Sequence, residues 1–201
     1  VTLVVTRGPA CYPFDYIWNL GAALDAPELR CPDDGKVRVV FLQHGMWRTS
    51  MALDRLERTL RHQGYEVINT GYPSTNDYLD AHAARLRDVV EARFEQGHVD
   101  EISFVGHSMG GVVIHEYLRR ADARPPKALV YIATPQRGAI LADKRRNWFL
   151  FEMAMGNQAS HQLATVDPIH RKPIPYPECS GAIVGDIGEG NADIPGHDDG
   201  T

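Results

Sequence analysis

One turn of the sequence carries residues that could perform acyl transfer. Gly106-His107-Ser108-Met109-Gly110 fits the pattern G-x-S-x-G, which places a serine at the apex of a tight turn between a strand and a helix. The two glycines leave room for the turn, because a side chain there would clash with the neighbouring strand and helix. Backbone N–H groups at the start of the helix favour developing negative charge beside the serine. The pattern therefore predicts Ser108 as a nucleophile.

A second segment could stabilise the charge that such a nucleophile creates. His44-Gly45-Met46 follows the first core strand, and we call residues 44–46 the oxyanion loop. Acyl transfer needs two N–H donors aimed at the oxyanion of the tetrahedral intermediate. The residue after the nucleophile supplies one, here Met109, and the loop after an earlier strand supplies the other, here Met46. The alternative interpretation of His44-Gly45 is an ordinary turn at the end of a strand.

Alternating strands and helices must position these two segments. Short apolar runs rich in β-branched residues predict strands, and apolar residues at steps of three and four predict helices. We expect strands at 1–6, 37–42, 65–70, 102–105, 128–132 and 182–184, and helices at 50–62, 77–96 and 109–120. This order predicts an α/β domain over residues 36–201, with a mostly parallel sheet covered by helices on both faces. Residues 1–35 read as an irregular lead-in that could form an edge hairpin.

Four segments of the sequence resemble bacterial lipase/esterase-type serine α/β-hydrolases, over about residues 37–201. They are FLQHGMWRTSMALDRLERTLRHQGYEVINTGYPST, ISFVGHSMGGVVIHEYLRR, LVYIATPQRGA and IPGHDDGT. The combination of GHSMGG with an upstream HG is specific for this superfamily. The resemblance implies the α/β-hydrolase fold, with Ser108 as nucleophile and with His44 and His107 as structural members of their motifs. It also implies hydrolysis of a carboxylic ester through an acyl-enzyme, without a cofactor.

The resemblance also implies a catalytic acid near the end of the sequence. The family places its acid after a later strand, often within a D-G-x-V segment. The stretch 199–201, DGT, matches the start of that segment. It predicts Asp199 as the acid, with Asp198 and Asp186 as alternatives. A solvated acidic turn is the other interpretation, since D-G is also a common turn dipeptide.

The histidine base is expected after the acid, because the superfamily has the chain order serine, acid, histidine. No histidine follows Asp199, and His197, which precedes it, is a weak candidate. We therefore expect the sequence to be truncated before the last strand and helix of the fold. The strand at 182–184 should then form an incomplete edge of the sheet.

Composition excludes several other classes of function. The chain has 201 residues and a net charge of −5, with 21 basic and 26 acidic side chains, so it lacks the electrostatic pattern of a nucleic-acid-binding protein. No apolar run reaches the ~18 residues of a membrane span. The sequence has no HExxH, P-loop or Rossmann pattern, so we expect no metal or organic cofactor. None of the three cysteines has CxxC spacing, and a disulfide between Cys11 and Cys31 is an open possibility.

Apolar residues near the motifs favour an ester or lipid substrate over a charged one. They are Met46, Trp47, Trp148, Phe149 and Phe151, and the last three could equally belong to a helix that packs in the core. Acyl transfer to an alcohol and thioester cleavage would use the same site, so both stay open as alternatives. A hydrolase-fold module that binds without catalysis is the alternative of another class.

Overall fold

The computed structural model describes residues 2–7, 33–136, 162 and 168–186. Within these residues, the strands form one six-stranded sheet. They are β1 (Thr2–Arg7), β2 (Arg38–Gln43), β3 (Glu66–Thr70), β4 (Glu101–His107), β5 (Ala128–Ile132) and β6 (Ser180–Asp186). Their order across the sheet is β1-β6-β5-β4-β2-β3. Strands β2 to β6 run parallel to one another, and β1 pairs antiparallel with β6.

In the part of the chain that the structure describes, three α-helices with defined bounds cover the sheet. They are α1 (Asp54–His62), which continues a short 3-10 helix at Ser50–Leu53, then α2 (Leu79–Glu95) and α3 (Met109–Leu118). Short 3-10 helices lie at Pro168–Arg171 and Pro177–Cys179. Among the helices that the structure describes, none is both long and apolar enough to cross a membrane.

The side chains of β2 alternate between the two faces of the sheet, and both faces are buried. Successive side chains of a strand point to opposite faces. Phe41 packs with residues of α2 and α3, whereas Val40 and Leu42 pack in a second cluster with Leu60 of α1. A strand buried on both faces reads as a continuous apolar run, as β2 does. The expected parallel sheet with helices on both faces is therefore confirmed.

Strand β6 has hydrogen-bonded neighbours on both sides, so the expectation that it would be an incomplete edge is wrong. It pairs with β5 on one side, and with β1 over six residue pairs from Thr2↔Asp186 to Arg7↔Gly181 on the other. The strand at the start of the chain supplies the partners that the sequence pattern could not reveal. The rest of the lead-in, with Cys11 and Cys31, lies outside the described residues.

Helix α2 buries a histidine among its apolar residues. His82 is fully buried, and its ring meets that of Tyr72 nearly perpendicularly, with 4.8 Å between the ring centroids. Its Nδ1 lies 3.3 Å from the guanidinium of Arg85. Burial first, and the charge of Arg85 second, lower the pKa of His82, against the smaller opposing effects of Asp77 and Asp80. The ring is therefore neutral near pH 7.

We expect the substitution His82→Gln to weaken the pH dependence of stability. In the unfolded chain a histidine takes up a proton around pH 6.5, and the folded protein resists that proton because the pKa of His82 is lowered. The free energy of unfolding should therefore fall as the pH drops below about 6.5, by up to about 1.4 kcal/mol per pH unit for this one proton, until the lowered pKa is reached. Urea unfolding at several pH values between 5 and 8 measures this slope.

The control is Gln96→Ala, because Gln96 lies exposed at the end of α2 and neither side chain takes up a proton. It should keep the slope of the wild type. An unchanged slope in His82→Gln would contradict the assignment of a neutral, buried ring.

Candidate active site

Ser108 forms the turn that joins β4 to α3. Strand β4 ends at His107 and α3 begins at Met109, so a single residue connects them. Ser108 has φ 52° and ψ −126°, outside the regions that residues with a side chain ordinarily occupy. Such a conformation costs roughly 1–3 kcal/mol and persists only where the surroundings enforce it. The N–H of Ser108 donates to the carbonyl of Ile132 at the end of β5, with an N–O distance of 2.8 Å.

Glycines permit backbone-to-backbone contact around this turn. A β-carbon on Gly106 would lie 2.5 Å from Cα of Gly111, so β4 and α3 touch directly. A β-carbon on Gly110 would overlap the carbonyl oxygen of Gln43 and lie 2.6 Å from that of His44. The first turn of α3 therefore rests on the end of β2 as well as on β4.

The oxyanion loop lies against Ser108. A β-carbon on Gly45 would be 2.9 Å from Cβ of Ser108 and 3.2 Å from the carbonyl oxygen of His107. Met46 follows in a turn outside any helix or strand. Met109 is the first residue of α3, where the N–H of a helix has no partner within the helix. The two residues predicted as oxyanion donors thus each follow, in the chain, one of the two residues in this contact, Gly45 and Ser108.

His44 is fully buried at the start of this loop. Its Nδ1 lies 2.8 Å from the carbonyl oxygen of Gly45, and its Nε2 lies 3.4 Å from the backbone nitrogen of Tyr72. Burial lowers the pKa of His44, so the ring is neutral near pH 7. This pattern assigns the proton to Nδ1, which donates to Gly45, and leaves Nε2 as the acceptor.

Sequence reasoning did not identify Tyr72 and Gln43 as parts of this site. The hydroxyl of Tyr72 donates to the carbonyl oxygen of His44 at 2.8 Å, and the rings of the two residues lie 4.4 Å apart between centroids. Gln43 is buried, hydrogen-bonds the hydroxyl of Thr70, and lies beside the hydroxyl of Tyr72. In the sequence, the one indication of a role for Tyr72 is the YPS segment after the second core strand, which belongs to a stretch that resembles the family.

The structure brings the predicted nucleophile, Ser108, into contact with the oxyanion loop, whereas most of the predicted acid and base candidates fall outside the described residues. Asp198, Asp199 and His197 lie outside the described residues, as does the apolar group at 148–151. Asp186 is the last residue of β6. Because β6 runs parallel to β5 and β4, it ends at the same rim of the sheet as the Ser108 turn.

Comparison with known proteins places this geometry in context. The sequence pattern of a family described as "Alpha/beta hydrolase family" matches residues 39–185. A carboxyl esterase from a metagenome is similar in structure, with a TM-score of 0.57 and 22% identity over 75% of this chain and 49% of its own. Phospholipase PlaB from Legionella pneumophila has a TM-score of 0.53 and 18% identity, over 67% of this chain and 34% of its own. At these identities the likeness is one of fold.

The chain spans about half the length of the esterase and about a third of that of the phospholipase. No curated protein matches it.

We expect Gly110→Ala to destabilise the protein. The added methyl group would meet two backbone carbonyls, those of Gln43 and His44, which cannot rotate away as a side chain could. Overpacking of this kind costs roughly 1–3 kcal/mol or more, and urea unfolding measures it. Gly71→Ala is the control, because a β-carbon there meets nothing within 4 Å and its stability should stay within about 1 kcal/mol of wild type. Equal stability of the two variants would contradict the close contact.

Proposed function

Since the chain belongs to the alpha/beta hydrolase family, we propose that it cleaves carboxylic esters through an acyl-enzyme on Ser108. The observation that carries the proposal is the contact between the oxyanion loop and the strained serine turn, where Gly45 and Ser108 leave no room for a further carbon atom between them. At this contact the loop that follows β2 meets the turn that follows β4, and these two strands are neighbours in the sheet. Acyl transfer requires a nucleophile together with N–H donors aimed at the oxyanion, and this contact supports both assignments.

In the proposed reaction, the Ser108 oxygen attacks the ester carbonyl and the carbonyl oxygen becomes an oxyanion. The N–H groups of Met46 and Met109 donate to that oxyanion. The start of α3 adds the positive end of a helix dipole. Because these donors are fixed before the reaction, they stabilise the transition state without reorganisation. Collapse of the tetrahedral intermediate expels the alcohol and leaves the acyl group on Ser108, and water then releases the acid.

Proton transfer in this scheme requires a histidine base and an acid that orients it. The base takes the proton of Ser108 and passes it to the leaving alcohol. We assign the acid to Asp199, with Asp198 and Asp186 as the alternatives, and the base to a histidine that follows the acid in the chain. The position of Asp186 at the rim that carries Ser108 supports an acid on the segment after β6.

An ester with an apolar acyl group suits the surface near the oxyanion loop. Trp47 directly follows this loop and is 56% exposed, and Met51 is 74% exposed. Binding sites for apolar ligands are lined mainly by apolar and aromatic side chains. We therefore propose a lipid or another apolar ester as the substrate class.

We expect Ser108→Ala to abolish ester hydrolysis in the protein that the whole gene encodes. Removal of the nucleophile from a working triad lowers kcat/KM by roughly 10⁴-fold or more. Release of p-nitrophenol from p-nitrophenyl butyrate measures the rate, and product analysis with an added alcohol separates hydrolysis from acyl transfer. Ser103→Ala is the matched control, a buried serine of β4, the strand that leads to Ser108, and should stay within about threefold of wild type. Activity of Ser108→Ala within tenfold of wild type would rule out the assignment.

The acid is tested by two neighbouring substitutions. Asp199→Asn should lower kcat by orders of magnitude, because an amide in place of the carboxylate holds the histidine in the wrong tautomer; a loss of about 10⁴-fold is known for this change in a serine protease triad. Asp198→Asn removes the same charge one residue earlier and should keep most of the activity. The reverse ranking in the same ester assay would move the assignment to Asp198.

A further inference from the structure

We propose that the segment Tyr72–Ser74 is a brace that fixes the orientation of the oxyanion loop, with Tyr72 and Ser74 as positioning residues. The proposal rests on the proposed function, since it concerns the loop that would carry the Met46 donor. We call residues 72–74 the brace segment. It lies in the connection between β3 and α2, outside the G-x-S-x-G turn and outside the oxyanion loop itself.

Tyr72 holds the first peptide of the oxyanion loop. Its hydroxyl donates to the carbonyl oxygen of His44 at 2.8 Å. Its backbone N–H faces Nε2 of the His44 ring at 3.4 Å, and the two rings stack at a tilt of 31°. Tyr72 therefore fixes both the main chain and the side chain of His44.

His44 passes this constraint on to the proposed donor. Its Nδ1 lies 2.8 Å from the carbonyl oxygen of Gly45. That carbonyl belongs to the same planar peptide as the N–H of Met46, and in a trans peptide the two bonds point in opposite directions. The described part of the chain has no cis peptide bond. Fixing the carbonyl of Gly45 therefore aims the N–H of Met46 away from the His44 ring.

Ser74 holds the other end of the loop. The N–H of Trp47 donates to the hydroxyl of Ser74 at 3.2 Å, and Ser74 is buried. Trp47 has a positive φ of 61°, which costs free energy unless contacts around it maintain it. One short segment thus contacts the residue at the start of the oxyanion loop and the residue directly after it.

The brace segment is itself held in place. The ring of His82 meets that of Tyr72 from α2, and the amide of Gln43 lies beside its hydroxyl. Pro73 restricts the backbone of Tyr72 to extended conformations. Tyr72 is therefore a fixed support between the core and the loop.

A misaligned oxyanion donor should affect kcat more than KM, because its hydrogen bond strengthens only in the transition state. Outright loss of one such donor lowers kcat by roughly 10²–10³-fold. Loosening the donor should do less. We expect Tyr72→Phe and Ser74→Ala each to lower kcat by about 10-fold or more, with KM within about threefold of wild type.

The test uses the protein that the whole gene encodes, with p-nitrophenyl butyrate as the substrate. Tyr117→Phe is the matched control, because Tyr117 is a buried tyrosine whose hydroxyl also bonds the main chain, accepting from the N–H of Arg124 at 3.0 Å. It lies at the far end of α3, and its kcat should stay within about twofold of wild type. Backbone amide hydrogen exchange over residues 44–48 is the second readout. It should be faster in Tyr72→Phe and Ser74→Ala but unchanged in Tyr117→Phe.

Two results would overturn the brace. One is a kcat within threefold of wild type in both brace variants, and the other is a loss of kcat that Tyr117→Phe reproduces. A wild-type protein that cleaves no ester, or a Ser108→Ala variant that still does, would refute the proposed function instead. Hydrogen exchange needs no substrate, so in that case it is the remaining test of the proposal that residues 72–74 hold the oxyanion loop. Unchanged exchange over residues 44–48 in both variants would overturn that proposal.

Discussion

The candidate site depends on a single steric constraint, which is that three main-chain segments meet with no space for a side chain between them. Strand β4 touches α3 at Gly106, the start of α3 touches the end of β2 at Gly110, and the oxyanion loop touches Ser108 at Gly45. Backbone atoms are the nearest obstacles at Gly106 and Gly110, and they cannot move without moving a strand or a helix. Ser108 and the oxyanion loop can lie in contact because glycine, with hydrogen in place of a side chain, occupies these three positions.

The parallel sheet explains why these segments meet at all. Loops that follow parallel strands emerge at one rim, and ligand sites of open α/β sheets form there. The oxyanion loop follows β2, the serine turn follows β4, and the two strands are neighbours in the sheet. The hydrogen bond from Ser108 to Ile132 ties the turn to the next strand, β5. The strained conformation of Ser108 is thus maintained by contacts on both sides of β4.

Much of this arrangement could be predicted from sequence, because its signals are local. Apolar runs and helical spacing predicted the strands and helices to within a few residues, and the glycines around Ser108 predicted a turn too tight for side chains. Contacts between distant segments left no such signal. The pairing of Thr2–Arg7 with β6 joins the two ends of the described chain. The residue pattern of a strand does not indicate which other strand it will pair with. The bond from Tyr72 to His44 spans 28 residues, and a single tyrosine in a loop has many equally reasonable roles.

The two ring nitrogens of His44 have different hydrogen-bonding partners, and this fixes the protonation state of the ring. Its Nδ1 faces a carbonyl, which requires a donor, and its Nε2 faces the N–H of Tyr72, which requires an acceptor. Only the neutral ring satisfies both at once, and a protonated ring would set two donors against each other inside the core. The burial that lowers the pKa of His44 therefore maintains the geometry of the loop. It also separates this residue from the general base, which must gain and lose a proton during each turnover. In the proposed reaction, His44 would act by staying neutral, because its proton on Nδ1 orients the peptide that carries the Met46 amide.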